Sequence, residues 1–212
     1  MYVPAHFQPT DPQEVLQLIR AAPLGMLVHS HAGALDANHI PFEVQQSADG
    51  TLRLIGHVAK ANPLCEQLAQ ADPVLVVFRA EEGYISPNWY PSKHVEHQLV
   101  PTWNYRVVHL HGRATLHPER KWVLGAVGHL TRTHETATQA LHPHPAGPWK
   151  IKDADPAALD TMLSAIVGLE IVVDRVEAKF KLSQNRSAED RASAADHATQ
   201  AGHAALGAVM GK

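Results

Sequence analysis

An α+β domain built on a small, mostly antiparallel barrel or sheet is the fold class this 212-residue sequence predicts. Three observations predict it. Six or seven apolar segments of strand length recur along the chain, and short turn signals such as Asp49-Gly50 join some of them. Helical segments with their own start signals are inserted between these strands. No internal repeat and no linker-like run divides the chain, so residues 1–191 are expected as one domain and residues 192–212 as an Ala-rich helical tail.

The elements follow in order. Met1 to Pro9 reads as an extended arm. Asp11 can cap a first helix, with Pro12 at its first position and Glu14 completing a capping box. Its apolar face is Val15, Leu16, Leu18 and Ile19, and Pro23 ends it. A strand from Leu24 to Ser30 turns at His31-Ala32-Gly33 into a second strand, from about Leu35 to Val44. Thr51 to Ala59 is the third strand. Asn62-Pro63 opens a short helix through Leu64, Leu68 and Ala69, closed by Asp72-Pro73. The segment PVLVVFRA is continuously apolar, as a strand buried on both faces would be.

A short strand near Tyr84–Ser86, a long polar loop and a strand from Asn104 to about Leu116 come next. His117-Pro118-Glu119 starts a helix whose buried face should hold Trp122, Val123, Ala126, Val127 and Leu130. Thr131 to Lys152, rich in His and Pro, reads as a loop or mobile segment. Asp155-Pro156 caps a helix to about Val167, and Gly168 begins a last strand up to Ser183. Ser187 to Asp190 resembles the capping-box start of a C-terminal helix.

The totals exclude several classes. The formal net charge is −3 and no Lys or Arg run exists, which argues against an autonomous nucleic-acid surface. The single cysteine, Cys65, permits no intrachain disulfide and points to a reducing compartment. The first residues lack the basic start and apolar core of a signal peptide, and no apolar run reaches membrane-spanning length. A cytoplasmic location is expected.

Candidate chemistry gathers in a few stretches. Tyr84, Trp89, Tyr90, Trp103 and Tyr105 fall within one stretch, interleaved with Ser86, Asn88, Lys93, Thr102 and Asn104. Rings that cover a planar ligand and polar groups that meet its edges and its anion would have this composition, and so would a core hairpin with a polar loop. GHVAKANP, Gly56 to Pro63, runs from a strand end into a helix start. Lys60 and Asn62 there suit a phosphate, although a capped turn with a solvated lysine fits the same residues.

The 16 histidines invite a metal, with His109 and His111 alternating on one strand, His29 and His31 likewise, and His94 and His97 three apart. No HExxH and no cysteine cluster accompanies them. Cys65 reads as a buried, inert thiol. KFKLSQNR, Lys179 to Arg186, ends the last strand with a density of polar groups that suggests binding or a dimer contact.

Six motifs in order carry a resemblance: MYVPAHF at Met1, NHIPF at Asn38, GHVAKANP at Gly56, YISPNWY at Tyr84, VPTWNY at Val100 with VHLHG at Val108, and KFKLSQNR at Lys179. The sequence resembles the PaiB family of FMN-binding negative transcriptional regulators over nearly its whole length. That resemblance implies a split β-barrel of the FMN-binding type, a homodimer, and FMN at the subunit interface. It places His57, Lys60 and Asn62 in the segment that holds FMN, with Lys60 on the phosphate. Ser86 and Trp89 would border the flavin, and Thr102, Trp103 and Asn104 would approach from the partner chain. Gln184, Asn185 and Arg186 match the C-terminal motif. DNA, met directly or through another protein, is the partner a regulator implies. The wider fold keeps two alternatives open: an oxidoreductase using FMN and NAD(P)H, and a haem- or metal-binding protein.

Overall fold

The computed structural model describes residues 1–68, 73–96 and 98–211. Among the described residues seven strands form one sheet: β1 (Leu24–His31), β2 (Ala34–Pro41), β3 (Glu43–Gln46), β4 (Leu52–Ala59), β5 (Pro73–Ile85), β6 (Thr102–His117) and β7 (Ile166–Lys181). Their order across the sheet is β2-β1-β5-β6-β7-β4-β3. The pairs β1–β2, β3–β4 and β4–β7 are antiparallel. The helices are α1 (Pro12–Ala21), α2 (Leu64–Leu68), α3 (Lys93–Glu96), α4 (Arg120–Leu141), α5 (Pro156–Ser164), α6 (Ala188–Gln200) and α7 (Ala204–Met210). None of them is long and apolar enough to cross a membrane.

The chain gathers into two compact units. One comprises Pro23–Val76 and Leu110–Arg175; the other comprises Met1–Ala22, Val77–His109 and Val176–Lys212. The long strands β5, β6 and β7 each run from one unit into the other. The segment from residue 192 onward belongs to the second unit, where Ala194, Ala195, Ala198, Leu206 and Met210 are buried.

In the first unit the expected strand from Leu35 to Val44 proves to be two strands with different neighbours. β2 pairs with β1, Leu24 opposite Pro41, whereas β3 pairs with β4, Glu43 opposite Ile55. The two therefore occupy opposite ends of the strand order, joined only through Phe42. The break has a local cause. Pro41 has no N–H to continue a ladder. Phe42 is buried and its N–H leaves the sheet to donate to the Pro23 carbonyl at 2.8 Å. At this junction Gly56 of β4 passes so close that a Cβ there would lie 3.1 Å from the Pro41 carbonyl oxygen and from the Phe42 ring, and 3.2 Å from Ile40. Gly112 is tighter still, since a Cβ would meet the Val172 carbonyl oxygen at 2.2 Å. Gly33 (φ +83°) and Gly50 (φ +85°) supply the left-handed turns after β1 and β3 that the sequence signalled.

Other boundaries move for physical reasons. β5 runs unbroken from Pro73 through the expected separate strand at Tyr84. α4 continues through Thr131–Leu141, expected as loop, because no Pro or Gly interrupts those residues and Glu135 and Gln139 bond the backbone at Trp149 and His144. Of its expected buried face only Val123 is buried. β7 starts at Ile166, taking the last residues expected in the preceding helix, and ends at Lys181. The N-terminal arm holds a 3₁₀ turn at Ala5–Phe7 with Phe7 buried. Asp11 caps α1 through Gln13 N–H. The C-terminal helix is two, broken at Gly202 (φ +92°). The expected extension of α2 to Ala69 and its closure at Asp72 lie outside the described residues.

The closure at Phe42 predicts that Gly56→Val, whose branches cannot avoid a backbone carbonyl, destabilises by about 1–3 kcal/mol in urea unfolding. Gly125→Ala, with open space around it in exposed α4, should instead stabilise by about 0.5–1 kcal/mol.

Candidate functional site

The sequence-expected residues divide between the two units. His57, Lys60 and Asn62 lie in the first, on the end of β4 and the turn into α2. His57 faces Gly168 across the β4–β7 ladder and is half-buried. Burial holds its imidazole below the ordinary value of 6.5 and so keeps it neutral at pH 7. The Lys60 N–H donates to the Ala165 carbonyl at 2.9 Å, which fixes the turn while the side chain is exposed. Asn62 spends both ends of its amide on structure. Its Oδ1 accepts from Leu64 N–H at 2.9 Å, and its Nδ2 donates to Asn38 Oδ1 at 2.9 Å. Asn38, in the NHIPF motif, is thus tied to the GHVAKANP turn.

Beneath α2 lies buried His29 of β1, whose Nε2 pairs with Gln67 Oε1 at 2.6 Å. Its Nδ1 has no partner among the described residues. The Cys65 thiol, expected to be buried, is half-buried; it reaches the Ala59 carbonyl at 3.4 Å, and partial burial pushes its pKa up.

The same unit has a cleft of about 620 Å³ that contains none of the expected residues. His117 and Trp122 stack in it, 4.3 Å between centroids and 6° between planes. His117 Nε2 is 3.0 Å from Glu170, which Arg53 also pairs at 3.1 Å. Trp122 fits because Gly168 opposes it; a Cβ there would stand 2.1 Å from the indole. Sequence reasoning placed His117 and Trp122 at a helix start and a buried face, and no local signal tied them to Gly168.

The remaining expected residues lie in the second unit. Ser86 caps the 3₁₀ turn Pro87–Trp89 by accepting from Asn88 N–H at 3.2 Å. Trp89 stacks on His197 of α6, 5.9 Å between centroids and 17° between planes. Asn104 is fully buried (0% exposed). Its Nδ2 donates to Ser183 Oγ at 2.9 Å and approaches Met210 Sδ at 3.5 Å. Ser183 Oγ also bonds the Tyr90 hydroxyl at 3.0 Å. Ser183 sits in the left-handed region (φ 65°), so this buried hydroxyl marks the point where β7 turns toward α6.

Ser183 and Tyr90 were missed as site residues, although both stand inside the quoted motifs. Asn104 Oδ1 has no partner among the described residues. Thr102 Oγ1 accepts from the Lys181 ammonium. Trp103 is 56% exposed and meets Tyr84 edge-on, 6.4 Å between centroids. Gln184 folds back onto β7, accepting from Leu182 N–H and donating to the Phe180 carbonyl. Asn185 is exposed, and the Arg186 guanidinium lies 5.4 Å from the centroid of the Tyr90 ring.

The structure therefore brings Ser183, Asn104 and Tyr90 together, with Arg186 on Tyr90, and separately His57, Lys60 and Asn62. His109 belongs to one unit and His111 to the other. His97, half of another candidate metal pair, lies outside the described residues.

Residues 1–175 match the family described as "Putative FMN-binding domain". The chain belongs to this FMN-binding family. FMN is its cofactor, as the six motifs implied. The chain is 30% identical over 190 residues to the protease synthase and sporulation protein PAI 2 of Bacillus subtilis strain 168, covering 90% of this chain and 85% of that protein. Among solved structures it is similar to the FAD and haem binding protein from Mycobacterium smegmatis, at TM-score 0.57 and 19% identity over 88% of this chain and 79% of that one. It is also similar to the flavocytochrome Anf3 from Azotobacter vinelandii, at TM-score 0.57 and 15% identity over 84% and 72% of the two chains. These likenesses are of fold, and the fold is the split barrel expected.

His57 gives a pH prediction. Its folded-state pKa is below 6.5, so between the two values the unfolded chain binds more protons. Its effect on stability is nil above the unfolded value and becomes a penalty as pH falls below 6.5. His57→Gln should flatten that acid-side loss in unfolding midpoints measured from pH 7.5 downward; an unchanged slope would show that His57 titrates normally.

Proposed function

We propose that this cytoplasmic chain binds FMN as a homodimer and acts as a transcriptional regulator whose output follows the state of its flavin. The family match carries the flavin half. The six-motif resemblance and the similarity to the sporulation protein PAI 2 support the regulatory half. With no basic run in the sequence, contact with DNA is made either by a patch assembled in the dimer or through another protein.

The residues present fit FMN. Lys60 is exposed and has no ion pair among the described residues, so its charge is available to the phosphate. The Asn62–Asn38 hydrogen bond holds its turn in place. Neutral His57 offers one donor and one acceptor without a competing charge. Ser86, Trp89, Thr102 and Trp103 border the ring system, with Thr102 and Trp103 supplied by the partner subunit. Trp103 and Tyr84 offer an aromatic face open to solvent. Asn104, being fully buried, acts through Ser183 and holds the KFKLSQNR turn. Gln184, Asn185 and Arg186 complete the edge. Bound FMN would supply hydride or single-electron exchange; the protein supplies position, shielding and charge.

A second reading is an oxidoreductase that reduces FMN with NAD(P)H, favoured by the same open aromatic pair, against which a nicotinamide could stack. Oxidation of NAD(P)H by the FMN-loaded protein separates the two.

Addition of FMN should give a yellow complex with quenched flavin fluorescence at micromolar protein. Lys60→Ala should weaken FMN by about 1.5–3 kcal/mol, or about ten- to a hundredfold, and leave riboflavin unchanged. Equal losses for both ligands would remove Lys60 from the phosphate. For regulation, gel shifts on the chain's own promoter region should show sequence preference and differ between oxidised and reduced flavin. A shift without sequence preference that vanishes at moderate salt would count against it.

A further inference from the structure

The end of β7 holds a concentration of positive charge of which the flavin reading uses Arg186 alone. Along this strand Ala178, Phe180 and Leu182 are buried, and the alternating Glu177, Lys179 and Lys181 share the opposite, half-buried face. Glu177 is engaged by the terminal amine of Met1 at 2.9 Å. The next two positions have no such neutralisation. Lys181 reaches the Thr102 hydroxyl, a neutral group. Lys179 lies among rings, its ammonium 5.5 Å from the centroid of Tyr2, 5.7 Å from Tyr105 and 6.0 Å from Phe7. Arg186, just past the Ser183 turn, lies on the buried Tyr90 ring. Among the described residues none of these three cations has a carboxylate within 4.0 Å.

Three half-buried cations on one strand end repel one another. Burial first, and then the charges of Lys179 and Arg186, hold the Lys181 ammonium below its ordinary 10.5. The repulsion does not scatter them, because each is fixed: Lys181 by Thr102, Lys179 by its rings, and Arg186 by Tyr90, which the Ser183–Asn104 network locks in turn. Fixed donors around charge that is offset only in part, by the Asp190 carboxylate acting on Arg186, are the features of a preorganised anion site.

We propose that the Lys179–Lys181–Arg186 end of β7 binds a small anionic metabolite through its carboxylate or phosphate group, at a site separate from the FMN phosphate. Such a ligand is the effector if the protein is a regulator and the substrate if it is an oxidoreductase. Lys181 and Arg186 supply charge-assisted donors, Thr102 a hydroxyl, and Lys179 the field. With only three cations at the site, on a chain of net charge −3, it suits one anionic group rather than a nucleic-acid backbone.

The test is titration of the full chain, with and without saturating FMN, by calorimetry. Inorganic phosphate is the probe in one arm and malonate in the other, and the arm that binds tells phosphate from carboxylate. Circular dichroism confirms that each variant is folded. Lys181→Met should weaken the better anion by about tenfold or more, Lys179→Met should weaken it less, and Lys60→Ala should leave it unchanged. The affinities of Lys181→Met for FMN and riboflavin should stay those of the parent. Lack of binding of either anion to the parent chain would overturn the proposal. So would an unaltered affinity in Lys181→Met, or competition between anion and FMN together with a Lys181→Met loss for FMN but not riboflavin, which would assign the charge to the flavin phosphate. Because the titration is also run without flavin, failure of the FMN reading would leave this result interpretable.

Discussion

Where β4 passes the Pro41–Phe42 junction, any side chain would crowd its neighbours, and the placement of His57 and Lys60 follows from that constraint. Gly56 lies against the Pro41 carbonyl and the Phe42 ring, where a Cβ would stand 3.1 Å from each. Pro41 cannot donate to a ladder, so the chain leaves β2 at one end of the strand order and resumes as β3 at the other. His57 follows Gly56 directly, and Lys60 follows three residues later on a turn held by Ala165 and by Asn38. A steric condition at one glycine thus sets where a half-buried imidazole and an exposed ammonium stand.

The second unit relies on a different device. Its KFKLSQNR turn is not stabilised by apolar burial alone but by a buried hydroxyl shared between Tyr90 and Asn104. A buried polar group is costly unless paired, so Ser183, Tyr90 and Asn104 specify one arrangement. That arrangement orients Arg186 and ends β7 with its lysines still on one face. Ser92 and Asp190, in the first turn of α6, add a further tie between the loop after Trp89 and α6, at 2.6 and 3.0 Å. The C-terminal helices, which read in sequence as an appended tail, bury Ala194, Ala198, Leu206 and Met210 in this unit.

Strand and turn chemistry was largely legible. Asp49-Gly50, His31-Ala32-Gly33, the Asp11 cap and the Ser187 cap act locally, and each appears where its residues predict. The errors have two causes. NHIPF and FEV read as one strand because both halves have strand composition; only their partners differ, and partners are non-local. Thr131 to Leu141 read as loop because it is polar, yet helix propensity without an interrupting Pro or Gly carries α4 through it. The cleft under α4 was invisible because Gly168 and Trp122 are 46 residues apart in a sequence that shows no link between them.

The sequence by itself determined most element types, the cofactor family and the six motifs that hold the candidate residues, because caps, turns and motif order are properties of neighbouring residues. The tertiary structure alone decided what those residues are free to do. It spent the Asn62 amide on Asn38, buried Asn104 under Ser183, left Trp103 in solvent, and set three cations at the end of β7 with no carboxylate within 4.0 Å among the described residues. Each of those outcomes is a matter of which distant groups meet, and hydrogen-bond satisfaction and charge pairing are settled only by that meeting.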